Sequence, residues 1–147
     1  MIERLVRDDA GTMVIESAFV IPILALLAIG GFEASRIVAR NYELQSAVAE
    51  AGAIVLAVSP KTAAERDKVK AVIVTSTALA TNKVTLAVKY RCNGDTALKV
   101  AESECATGSV VSKYIQITLA DTYTPIWTSF GIGSDVNFNL SRKVQIA

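Results

Sequence analysis

Residues 11–32 read GTMVIESAFVIPILALLAIGGF and carry one ionisable side chain, that of Glu16. An α-helix needs about 20 apolar residues to cross the hydrocarbon core of a bilayer. The stretch from Met13 to Phe32 has this length, so it predicts a membrane-spanning helix. Of all residues in the chain, 52% are hydrophobic and 20% are charged. The apolar excess is concentrated in this stretch, which favours a membrane segment over an unusually apolar core.

Three interpretations of the apolar stretch compete. A cleaved secretory signal peptide has a shorter apolar core and a small-x-small cleavage site, and residues 33–36, Glu-Ala-Ser-Arg, make a poor one. The second interpretation is an ordinary single-pass anchor. The third is a prepilin-type segment, which loses a short leader before its helix joins a bundle. Arg4 and Arg7 favour a cytoplasmic N-terminus, whereas Arg36 and Arg40 on the far side oppose that orientation.

The offset between Gly11 and Glu16 favours the prepilin interpretation. Cleavage after Gly11 would make Thr12 the N-terminus and Glu16 its fifth residue, about one helical turn away. In a bundle, the carboxylate of one subunit could then neutralise the amine of its neighbour, which in apolar surroundings is favoured over either charge alone. Alternatively, Glu16 lies at interface depth and reaches back to headgroups or water.

Pro22, Gly30 and Gly31 interrupt the otherwise regular apolar pattern. Proline removes a backbone donor and tends to kink a helix, here by freeing the carbonyl of Ala18. Membrane helices tolerate this, so Pro22 is either neutral or a weak point that lets the helix bend as subunits pack. The two glycines add a second soft point and permit close approach of another helix.

Residues 7–24, RDDAGTMVIESAFVIPIL, resemble the N-terminal signature of TadE-like pseudopilins, minor pilins of the tight-adherence (Flp) branch of type IV pili. The shared pattern is a basic residue, a glycine, a glutamate five positions later, a small-aromatic-apolar step and a proline within the helix. Ser17 departs from it, since the family commonly has an apolar residue there. The resemblance implies that Gly11 ends the leader and that Glu16 is required for processing or assembly.

The resemblance also implies an inner-membrane protein with a periplasmic domain, which takes part in pilus assembly or priming and could enter the filament. Its partners would be the membrane, a prepilin peptidase, the major Flp pilin, other minor pilins and the inner-membrane assembly platform. The expected organisation is a leader at 1–11, a transmembrane segment at 12–33 and an extracytoplasmic domain at 34–147.

A pilin-like α+β fold is expected beyond the membrane. The apolar periodicity continues the first helix to Val58, where Ser59-Pro60 ends it. A capping box from Thr62 to Glu65 then opens a second helix that runs to about Leu79. Alternating apolar residues predict three antiparallel strands, at Lys83–Cys92, Val110–Tyr123 and Asn137–Ile146.

The residues 123–127, Tyr-Thr-Pro-Ile-Trp, lie between the last two predicted strands. Tyr123, Pro125 and Trp127 form either a packed corner or an interaction surface. A Tyr-x-Pro step followed by a last apolar strand is also similar to the usual ending of TadE-like chains. If Glu16 is incidental, the rival function is a single-pass periplasmic binding or sensor module with its site at this corner.

The two cysteines, Cys92 and Cys105, are too few for a zinc site and are predicted to form one disulfide outside the cytoplasm, unless both stay reduced. Histidine is absent and the net charge is +1. We therefore expect no enzyme activity, no cofactor or metal, and no nucleic-acid partner. Asp121 and Asp135 are interpreted as isolated loop or strand-end residues.

Overall fold

The computed structural model describes residues 9–147, with side chains from Val14 onward. The leader residues 1–8, with Arg4 and Arg7, lie outside the described residues. The chain divides after Val38 into an N-terminal helical unit and a C-terminal unit of residues 39–147. The elements are α1 (Asp9–Val58), α2 (Ala63–Thr77), β1 (Val84–Cys92), β2 (Val111–Tyr123) and β3 (Val136–Gln145). The predicted α+β class is confirmed.

Helix α1 continues without interruption through Pro22. It ends as predicted at Val58, where Ser59 takes a left-handed φ of 45°. The following Pro60 disfavours helical backbone at the residue before it, so the chain turns here. Pro60 itself is fully buried.

A capping box begins α2, as the sequence predicts. The Thr62 hydroxyl accepts a hydrogen bond from the backbone N–H of Glu65 at 3.2 Å. In return, the Glu65 carboxylate accepts backbone N–H bonds from Thr62 at 3.2 Å and Lys61 at 2.7 Å. These backbone hydrogen bonds stabilise the charged form of Glu65 and so lower its pKa. The bond from Thr62 has the largest effect. The helix ends at Thr77, two residues before the predicted end.

The three strands form one antiparallel sheet in the order β1-β2-β3. Their bounds agree with the predicted strands to within one residue at each end. One face of the central strand β2 carries Ile115, Ile117 and Leu119, which are all fully buried. The core packed on this face comes from α1, α2, the α2–β1 connection and the strands: Leu44, Val48, Ala51, Val55, Val69, Ile73, Leu79, Val84 and Val144. A sheet of three strands needs such a helical cover to bury its apolar face.

An ion pair joins α1 to the sheet within the C-terminal unit. The Nε of Arg40 donates to Oδ2 of Asp121 on β2 at 2.6 Å, and its Nη1 donates to Oε2 of Glu43 at 2.8 Å. Burial alone would lower the pKa of Arg40, but the hydrogen bonds to Glu43 and Asp121 outweigh it and raise the pKa. The predicted isolation of Asp121 is therefore wrong, because its partner lies 81 residues earlier in the chain.

A second close approach fixes the direction of α1 along the sheet. A Cβ added at Gly52 would lie 3.0 Å from Cδ of Arg142 on β3. From Arg40 to Gly52 the helix rises about 18 Å. Asp121, at the first contact, pairs with Phe138, and Arg142 lies four residues further along β3, about 13 Å in a strand. Helix α1 therefore runs in the same direction as β3 and opposite to β2.

The two ends of the sheet consequently differ. The start of β2 lies beside the end of β1, since Val111 pairs with Cys92. The end of β2 and the connection to β3 (residues 124–135) lie at the other end, where α1 enters the C-terminal unit. The disulfide and the β2–β3 connection are thus held at opposite ends of the sheet.

The predicted disulfide is confirmed, because Cys92 and Cys105 are bonded, with their Cα atoms 5.5 Å apart. The segment between them folds back onto the outer edge of β1. There the N–H of Tyr90 donates to the carbonyl of Lys99 at 3.0 Å, and the N–H of Lys99 donates back at 2.7 Å. The disulfide therefore closes a structured segment and not a free tip.

Replacing both cysteines by serine should lower the free energy of unfolding by about 3 kcal/mol, because the unfolded chain regains the entropy of a closed loop of about 14 residues. Urea unfolding of the detergent-solubilised chain, followed by Trp127 fluorescence, measures this. Reduced wild-type protein is the control and should match the double variant. An unchanged midpoint in both samples would contradict the prediction.

The Arg40–Asp121 pair should contribute more to stability than the Arg40–Glu43 pair. The side chains of Arg40 and Asp121 are 25% and 20% exposed, whereas that of Glu43 is 59% exposed and its pair is more strongly screened. We expect Asp121→Asn to lower the free energy of unfolding by about 1.5 kcal/mol, and Glu43→Gln by about 0.3 kcal/mol.

Double-mutant cycles with Arg40→Met isolate the two couplings. Equal coupling energies for Asp121 and Glu43 would show that burial of the Asp121 pair adds nothing.

Candidate functional site

The apolar half of α1 is covered by nothing in the described chain. Along residues 14–32 the large apolar side chains are exposed, among them Phe19 at 71% and Leu26 at 71%. The most apolar 18-residue window of the helix has a mean hydropathy of 2.2 and is 0% buried. A soluble protein rarely exposes a continuous apolar surface of this size. The helix is long and apolar enough to cross a membrane once.

Glu16 lies exposed near the start of this surface. Thr12 and Glu16 both belong to α1. Four residues of helix separate them by about 6 Å along the axis and about 40° around it. The two positions therefore lie about one turn apart on the helix. The side chain of Thr12 lies outside the described part, and cleavage between Gly11 and Thr12 stays a prediction.

Gly30 and Gly31 have no packing role within the described chain. A Cβ added at either position would meet no atom within 4 Å. Each glycine nevertheless costs the helix about 1 kcal/mol relative to alanine. Ala34 and Ser35 follow them by four residues, which repeats the small-xxx-small spacing of closely packed membrane helices. This spacing is visible in the sequence alone.

The three residues predicted at the β2–β3 corner have different surroundings. Pro125 is fully buried, whereas Tyr123 and Trp127 are half-buried. Trp127 packs close to Gly133, where an added Cβ would lie 3.2 Å from the indole Nε1. The exposed apolar side chains of this connection are others, namely Ile126, Phe130 and Ile132. The sequence feature that indicates this exposed apolar connection is the run 124–134, which contains no charged residue.

Candidate metal ligands are dispersed in the part of the chain from Val14 onward. Within it, no three His, Cys, Asp or Glu side chains lie close enough to hold a metal ion. One ion-paired cluster in this part consists of Arg40, Glu43 and Asp121. The guanidinium of Arg40 pairs with both carboxylates, and its pair with Asp121 joins α1 to the sheet.

Comparison with protein families matches residues 11–53 to the family described as TadE-like protein. The matched segment begins at Gly11, contains Glu16, Pro22 and the glycine pair, and ends on the part of α1 that packs against the sheet. Neither a curated protein nor a solved structure matches the chain. Residues 11–53 are therefore similar to the TadE-like family, and they include an N-terminal apolar helix that could serve as a single-pass membrane anchor.

Proposed function

We propose that the protein is a minor pilin or pseudopilin that takes part in assembling or priming a tight-adherence (Flp) pilus. Residues 12–33 anchor it in the bacterial inner membrane, with residues 34–147 in the periplasm. The observation that supports this proposal most directly is the exposed apolar face of α1. Glu16 lies at the start of that face, within the segment that matches the TadE-like family. In this role the chain is a structural protein.

The proposed assembly step begins with removal of residues 1–11 by a prepilin peptidase, which leaves the amine of Thr12 at the start of α1. A lone carboxylate within a bilayer costs about 2.5–3.5 kcal/mol on insertion scales. Pairing Glu16 with the Thr12 amine of a neighbouring subunit removes most of that cost and sets the axial register of the two helices. The proposed neighbours are the major Flp pilin and other minor pilins.

The glycines support the same role. A Cβ added at Gly30 or Gly31 would meet no atom of the described chain within 4 Å. The surface at these two glycines is therefore open to close approach by a second helix. Pro22 leaves the Ala18 carbonyl without its intrahelical donor, so the helix can bend where subunits pack. The inner-membrane assembly platform would supply the neighbouring helices.

Glu16→Ala should leave membrane insertion intact, because removing a carboxylate makes the helix more apolar. Piliation should fall about tenfold or more, since the pairing energy is lost. Counting filaments by electron microscopy measures assembly, and carbonate extraction measures insertion.

Glu50→Ala is the matched control, since Glu50 is an exposed glutamate on the same helix but within the C-terminal unit. Normal piliation of the Glu16→Ala strain would refute the pairing role.

Bulky side chains at the glycine pair should block helix packing without disturbing the subunit's own fold. We expect Gly31→Leu to fold and insert normally, because no atom lies within 4 Å of its Cβ position. We expect it to assemble poorly, whereas Gly31→Ala should assemble nearly as well as wild type. Chemical crosslinking of subunits in membranes measures how well each variant assembles. Equal crosslinking of the leucine and alanine variants would show that the glycines face no partner helix.

A further inference from the structure

The connection between β2 and β3, residues 124–135, gathers exposed apolar side chains in the C-terminal unit. We call it the entry loop. Ile126, Phe130 and Ile132 are 51%, 76% and 65% exposed. From 124 to 134 the loop has no charged residue. Surface loops are normally polar, and a cluster of exposed apolar side chains marks a surface that another phase or molecule covers.

The entry loop has a defined conformation. Residues Ile126–Phe130 form a 3₁₀ turn, in which the N–H and the hydroxyl of Thr128 both donate to the carbonyl of Pro125, at 3.1 and 2.8 Å. Gly131 ends the turn with a left-handed φ of 73°. The N–H of Ile132 then donates to the carbonyl of Trp127 at 3.2 Å. The exposed apolar side chains therefore project from a hydrogen-bonded backbone turn.

The position of the entry loop follows from the Arg40–Asp121 pair. Asp121 lies two residues before the end of β2, so the loop begins about 10 Å from that ion pair. Arg40 lies at the start of the C-terminal unit, eight positions after Phe32, the last residue of the apolar stretch. The loop is thus at the end of the unit where the chain arrives from its anchor.

We propose that the entry loop inserts Ile126, Phe130 and Ile132 into the headgroup–acyl interface of the bilayer that the same chain spans. Tryptophan and other aromatic side chains favour this interface, and Trp127 lies within the loop. No charge of residues 124–134 has to leave water, and the nearby Asp121 is already paired with Arg40. The loop is a second membrane contact that seats the domain on the lipid surface. This rests on the proposed membrane anchoring but not on pilus assembly.

Trp127 makes the proposal directly measurable, because it is the single tryptophan of the chain. The full chain is reconstituted into phosphatidylethanolamine–phosphatidylglycerol vesicles whose acyl chains are brominated at a shallow or a deep position. We expect stronger quenching of Trp127 by the shallow label, and a fluorescence blue-shift relative to protein in detergent. Phe130→Ser and Ile132→Ser should reduce the shallow quenching about twofold, because less apolar surface enters the interface.

Val110→Ser is the matched control. Val110 is 73% exposed and directly precedes β2 at the opposite end of the sheet, so its replacement should leave the quenching unchanged. Vesicle flotation separates the two levels of the proposal. A chain that does not float with vesicles contradicts the membrane anchor itself. A chain that floats while Trp127 stays unquenched overturns the entry-loop proposal alone. Shielding of Trp127 that appears only at high protein-to-lipid ratio also overturns it, in favour of a contact between subunits.

Discussion

The packing of α1 on the central strand determines the rest of this structure. Leu44 and Val55 of the helix and Ile115, Ile117 and Leu119 of β2 are essentially removed from solvent. The earlier part of the same helix carries an equally apolar surface that the described chain leaves uncovered. One continuous helix thus has two environments. Its second half contributes to the core that a three-stranded sheet cannot build alone, and its first half is exposed and apolar enough to cross a membrane.

The direction of α1 along the sheet gives the C-terminal unit two distinct ends. The Arg40–Asp121 pair fixes the end where the chain enters, and the close approach of Gly52 to Arg142 fixes the helix further along. The disulfide is thereby held at the far end and the entry loop at the near end. The entry loop, with its exposed Ile126, Phe130 and Ile132, follows the end of β2 that carries the Arg40–Asp121 pair.

Local sequence signals predicted much of this fold. The capping box of Thr62 and Glu65, the stop at Ser59-Pro60 and the period-two strands depend on neighbouring residues, and the structure confirms all three. The partner of Asp121 could not be found in this way, because it lies 81 residues away and depends on the register of α1 on the sheet. At the corner 123–127, composition alone could not decide between a packed corner and an interaction surface. The structure buries Pro125 but exposes the neighbouring Ile126. The roles of Gly11, Thr12 and Glu16 require a second molecule and so remain predictions.

The proposed role in a pilus depends most directly on whether Thr12 becomes the N-terminus. Intact-mass spectrometry of the protein extracted from membranes of cells with an active prepilin peptidase measures this in one experiment. A mass lacking residues 1–11, in a protein that begins at Thr12, is the predicted result, because only then does an amine lie one helical turn from Glu16. A mass that still includes residues 1–11 would contradict the proposed processing and, with it, the pairing that places this helix in a filament.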